Sequence, residues 1–115
     1  MNIKIVKDNI GISDLKDLAK YTYNIMIKGV LDVENEVIAF GGEYHIDANK
    51  VLIEEGFKQD KIWGFNIIFK SDNDYDIEYT SLINIRPNQN NFDMEIQDIS
   101  LKENIKKILN KKIII

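Results

Sequence analysis

The only histidine of this 115-residue chain lies in Gly41-Gly42-Glu43-Tyr44-His45-Ile46-Asp47, the segment densest in groups that could do chemistry. If residues 43–47 are extended, Glu43, His45 and Asp47 project to one side. An imidazole between two carboxylates can serve as a general base, with Glu43 or Asp47 orienting it. The same trio could contribute metal ligands. Its spacing matches no metal signature, and a single His is fewer than catalytic zinc usually takes. A magnesium or calcium site needs a carboxylate count that the sequence does not define, so no metal is assigned. The competing reading is structural. Asp47 then caps a second helix, Glu43 pairs with Arg86, and His45 sits hydrogen-bonded at a strand–helix junction. The two glycines serve as a turn or let a ligand approach the backbone. They belong to no phosphate-loop pattern.

Arg86 is the chain's only arginine among many lysines. Where lysine serves for nearly every basic position, a lone guanidinium points to bidentate contacts that an ammonium cannot make. Asn84 lies two residues earlier. On a strand the two would project together and hold an anion such as a carboxylate or phosphate. Asn66 and Asp47 complete the candidate ligand-binding set. The structural alternative pairs Arg86 with Glu43 or Glu78, or lets it donate to loop carbonyls. Ser81 has no G-x-S-x-G elbow, which argues against a serine hydrolase. Trp63, the only tryptophan, reads as a core or interface anchor.

These residues need elements to position them. Ile3–Val6 reads as a strand and residues 8–11 as a loop. Ser13 reads as the N-cap of an amphipathic helix over roughly residues 14–27, ended by Gly29. Residues 30–33 and 36–40 flank a polar turn and suggest a hairpin. A second helix is expected from Ala48 to Glu55, with Asp47 as N-cap and Gly56 after its end. Residues 62–69 and 77–85 are the longest strand candidates, the latter stopped by Pro87. Alternation puts Trp63, Phe65, Ile67 and Phe69 on one face, with Tyr79, Ser81, Ile83 and Ile85 if like parities pair. The opposite face then carries Asn66, Asn84 and Arg86. Met94 and Ile96 alternate with polar neighbours, which suggests a short last strand. Ser100 to Glu103 resembles a capping box before a C-terminal helix. The tail Ile113-Ile114-Ile115 either packs on the core or makes a subunit contact.

The expected fold is α+β, a single domain over residues 1–115. Its mainly antiparallel sheet has four to six strands and about three helices, in the order β-α-β-β-α-β-β-(β)-α, with the helices on one face. Composition agrees: 44% of residues are hydrophobic and 30% charged, as in globular domains. Cysteine is absent, which removes disulfides, thiolate metal sites and cysteine nucleophiles. No signal-peptide pattern or membrane-length apolar run is present, so the chain reads as cytoplasmic with no membrane partner. The net charge of −4 disfavours nucleic acid, which calls for a basic patch. The lysines near the C-terminus read as the solvated face of a helix.

The stretch Gly41 to Ala48, then Trp63-Gly64-Phe65-Asn66, then Tyr79 to Pro87 resembles a family of small prokaryotic proteins known only as a domain of unknown function. The likeness spans nearly the whole chain, and Ser81-Leu82-Ile83-Asn84-Ile85-Arg86-Pro87 is its most specific part. The resemblance implies one domain and directs attention to these segments. It implies no substrate, cofactor or catalytic residue.

Two readings of function follow. The first is a non-enzymatic binding or protein-interaction module, forming a homo-oligomer through its apolar tail and taking a small anionic ligand. The second is a small hydrolase-type enzyme with a His45/Glu43 base and an Arg86/Asn84 anion-binding pair. A third, a small regulatory partner protein, rests only on size and acidity. No cofactor is identified.

Overall fold

The computed structural model describes residues 2–115. In chain order its elements are β1 (Ile3–Val6), β2 (Ile10–Gly11), α1 (Ile12–Ala19), β3 (Met26–Asp32), β4 (Val37–Gly41), α2 (His45–Glu54), β5 (Ile62–Phe69), β6 (Tyr75–Glu78), α3 (Ile99–Lys112) and β7 (Ile113–Ile114). Five strands form one antiparallel sheet in the order β1-β4-β3-β5-β6. β2 and β7 pair in parallel as a separate small ribbon. The expected α+β class and element order hold, and the strand expected around Met94 reduces to one bridge between Thr80 and Glu95.

The helices cover both faces of the sheet, not one. β3 and β4 carry consecutive apolar residues, Val30-Leu31 and Val37-Ile38-Ala39-Phe40, so side chains on both faces need cover. On one face Leu15 and Ala19 of α1 and Ile105, Ile108 and Leu109 of α3 pack on Ile27, Leu31, Phe40, Phe65 and Ile67. Phe40 and Phe65 meet edge to face, with ring centroids 5.8 Å apart. On the other face Ala48 and Leu52 of α2 pack on Val30, Val37, Ala39 and Ile62. Ile113 is buried under the first core, whereas Ile114 and Ile115 are exposed.

α1 stops at Ala19, short of the expected residue 27. The apolar residues beyond it belong to β3, which pairs with β5 from Met26 opposite Ile68 to Asp32 opposite Ile62. That continuous ladder outweighs two further helical turns. Asn24, at φ 66°, makes the bend between the two elements. Helix starts also differ from expectation. Gly11, not Ser13, precedes α1. α2 begins at His45 rather than Ala48. Asp98 caps α3 by accepting from the Leu101 N–H at 3.2 Å, in place of Ser100. Gly56 does follow the end of α2, at φ 100°.

The second long strand ends at Glu78 instead of running to Ile85. The register to that point pairs like parities, Asn66 with Glu78 and Ile67 with Ile77. Beyond it the chain lifts off the edge of β5 and lays residues 80–84 over the α2 face. Gly64 permits this. A Cβ there would lie 2.6 Å from the Ser81 Cβ, so only glycine lets the segment settle. Ser81 and Ile83 therefore face Gly64 rather than the Phe65 side of the sheet.

Candidate functional site

Asn84 and Arg86 take the place of the missing strand. The Asn84 side chain accepts from the Gly64 N–H at 2.8 Å and donates to the Gly64 carbonyl at 2.9 Å. Its amide thus reproduces a peptide pairing on the free edge of β5. It also donates to the Met94 carbonyl at 3.2 Å. Arg86 donates to the Ile83 carbonyl at 2.9 Å, the Gln59 carbonyl at 2.8 Å and the Ile62 carbonyl. Its guanidinium lies 4.2 Å from the Trp63 ring centroid. Both side chains are buried, and no acidic side chain pairs with Arg86 among the described residues. Since residues 82–84 form a 3-10 turn, the two do not project from one strand as an anion-binding pair.

Glu43, His45 and Asp47 separate as well. Gly41 and Gly42, at φ 116° and 87°, turn the chain from β4 straight into α2. His45 is then the first helical residue, and residues 43–47 are not extended. The Asp47 carboxylate accepts from the Tyr44 N–H at 3.1 Å, while its own N–H donates to the Tyr44 carbonyl at 3.0 Å. It steadies the first turn from inside the helix rather than as N-cap. Glu43 is exposed, and its carbonyl accepts from the Tyr23 hydroxyl. Among the described residues no three His, Cys, Asp or Glu side chains converge to hold a metal ion.

His45 and Asn66 do meet. Between the first turn of α2, the centres of β3 and β5, and residues 80–83 lies a cavity of about 300 Å³. Cross-strand pairing sets Lys28 opposite Asn66 and Asn66 opposite Glu78, so the three form a row on the α2 face. Lys28, His45 and Asn66 give the cavity its polar floor, with Thr80 and Ser81 beside them. Tyr44, Ile46, Leu82 and Met94 line it too and are exposed, forming an apolar mouth.

The electrostatics of this floor follow from burial. His45 Nε2 lies 2.8 Å from the Phe65 carbonyl oxygen. A carbonyl only accepts, so Nε2 carries the proton and Nδ1 is left as an acceptor. Burial pushes the imidazole pKa down to about 4. The Phe65 carbonyl resists that shift, as does the Asn66 oxygen, which could accept only from a protonated ring, and the Lys28 charge adds to it. The ring is therefore neutral at pH 7. Burial also lowers the Lys28 pKa, against the pull of Glu78. The Lys28 ammonium lies 5.3 Å from the Tyr23 ring centroid, within cation–π range. No carboxylate lies within 4.0 Å of it among the described residues.

Asn66 donates from Nδ2 to Glu78 Oε1 at 3.2 Å, which points its Oδ1 the other way. That oxygen is buried with no hydrogen-bond partner among the described residues. A buried orphan acceptor is uncommon, and each one calls for an explanation.

Sequence reasoning nominated His45 and Asn66 as site candidates, set Ser81 on the core face, and did not raise Lys28 or the apolar mouth. Lys28 was hidden by the overlong first helix. The run Ile25-Met26-Ile27 before Gly29-Val30-Leu31 was the signal for a longer strand.

No curated protein and no solved structure matches the chain. A family model described as "Protein of unknown function (DUF5674)" matches residues 4–112, and the chain belongs to that family.

Proposed function

We propose that this domain binds a small, largely apolar molecule in the cavity between α2 and the 80–83 segment. The observation that carries the reading is the buried Asn66 Oδ1, unpartnered among the described residues, at the polar floor of a cleft with an apolar mouth. Ligand pockets combine apolar walls with a few convergent polar groups. The volume of about 300 Å³ is at the small end of the roughly 300–1,000 Å³ range for such pockets.

Nuclear magnetic resonance titration of the 15N-labelled protein with phenol and indole tests this. Shifts should concentrate at residues 28, 44–46, 66 and 80–83. Shifts confined to another surface, or none at millimolar fragment, would refute it.

Self-association draws support from the exposed Ile114 and Ile115. Light scattering that reports a monomer at high concentration would end that part. An enzymatic reading ranks second. It keeps His45, whose single tautomer is oriented by the Phe65 carbonyl as a general base requires. Its other intended members, Glu43, Asn84 and Arg86, lie outside the cavity lining.

A further inference from the structure

We infer that the ligand of this cavity carries an amide-like head, a hydrogen-bond donor beside an acceptor, rather than a carboxylate or an ammonium. The inference rests on the binding reading above and deepens it. It follows from the polarity of three groups on the cavity floor. Asn66 Oδ1 is an acceptor by virtue of the bond from Nδ2 to Glu78. His45 Nδ1 is an acceptor by virtue of the bond from Nε2 to Phe65. Lys28 Nζ is a donor with no ion-pair partner among the described residues.

A carboxylate would satisfy Lys28 but set a third acceptor against two others. An ammonium would satisfy the two acceptors but add a charge beside Lys28. A carboxamide meets all three: its oxygen accepts from Lys28 while its N–H groups donate to Asn66 and His45. The Asn66 oxygen is buried, so a donor reaches it only if the lining gives. Lys28 can give, being half-buried on a flexible stem and directly opposite Asn66 in the ladder.

The test compares benzamide, benzoate and benzylamine, which share an apolar body and differ in the head. Dissociation constants come from resonance titrations of the wild-type protein and of Asn66→Leu at pH 7. Benzamide should bind about tenfold tighter than either relative, the discrimination expected when a buried acceptor is left unmet. In Asn66→Leu that advantage should shrink to about twofold or less.

Benzoate binding as well as benzamide would overturn the inference and mark the floor as a Lys28 anion site. Benzylamine binding as well would overturn it in favour of the two acceptors alone. Either result leaves the cavity standing as a binding site. A preference for benzamide that survives in Asn66→Leu would also overturn the role of Asn66. If no probe shifts the cavity resonances, the inference and the proposed function fall together. The wild-type comparison decides the head group even if the variant does not fold.

Discussion

Replacing Asn66 with leucine should make this protein more stable, although the change deletes a hydrogen bond from the middle of a central strand. Asn66 has 6% of its surface exposed, and leucine has nearly its shape. The variant removes the Oδ1 orphan, whose desolvation costs on the order of 1–3 kcal/mol. It loses the bond from Nδ2 to Glu78 at 3.2 Å. Glu78 is exposed, so that bond contributes only about 0.5–1.5 kcal/mol net. The balance favours leucine by about 1 kcal/mol, before any gain from apolar burial. For a chain of this length the melting temperature should rise by about 4 °C. Urea denaturation followed by circular dichroism measures both sides, read as a higher midpoint with an unchanged slope. Asn66→Asp is the contrast. It puts a second carboxylate beside Glu78 in a buried position and should destabilise. If Asn66→Leu instead destabilises by about 1 kcal/mol or more, the Asn66 oxygen has a partner in solution and the orphan argument fails. If it stabilises, the wild-type protein retains an asparagine against its own stability, a pattern expected where function demands the residue.

Other consequences are equally direct. His45 titrates at about 4 in the folded chain against 6.5 unfolded, so the unfolded state binds more protons between those values. Stability should be complete above pH 6.5 and fall by about 3 kcal/mol toward pH 4. His45→Gln should flatten that pH profile in denaturation experiments, and an unchanged slope would contradict the buried neutral ring. Asn84→Leu leaves the Gly64 N–H and carbonyl unpaired and should destabilise by about 3 kcal/mol or more; a cost under about 1 kcal/mol would show that the edge of β5 finds other partners. Arg86→Lys retains charge but loses the fork to three carbonyls. It should lower stability by about 2 kcal/mol while leaving the fragment shifts at the cavity in place, whereas loss of those shifts in a folded variant would return Arg86 to the ligand. Gly64→Ala should destabilise by about 1–3 kcal/mol through the Ser81 contact, and Ser81→Gly in the same chain should recover part of it in a double-mutant cycle.

Local patterns in the sequence were enough for much of the framework. Alternation in residues 62–69 named the face of Trp63, Phe65 and Ile67, because side-chain direction along a strand depends only on parity. Gly56 marked the end of α2, because a left-handed residue there favours glycine whatever surrounds it. The α+β class and element order followed from such local signals, and His45 and Asn66 were singled out by residue type.

The tertiary structure decided what those signals could not reach. Whether residues 26–29 finished a helix or began a strand depended on β5, more than thirty residues away, and the ladder it offered. Whether residues 79–85 continued a strand depended on Gly64, whose missing Cβ admits Ser81, and on Asn84, whose amide occupies the edge a strand would have used. Whether Arg86 could meet a ligand depended on the carbonyls of Gln59 and Ile62 reaching it first. The cavity itself comes from contacts distant in sequence. Lys28 and Asn66 become neighbours through strand register, and His45 joins them because two left-handed glycines start α2 directly above. Residue type nominated candidates for chemistry, and long-range pairing decided that Lys28, His45 and Asn66 share a floor while Asn84 and Arg86 hold the sheet edge.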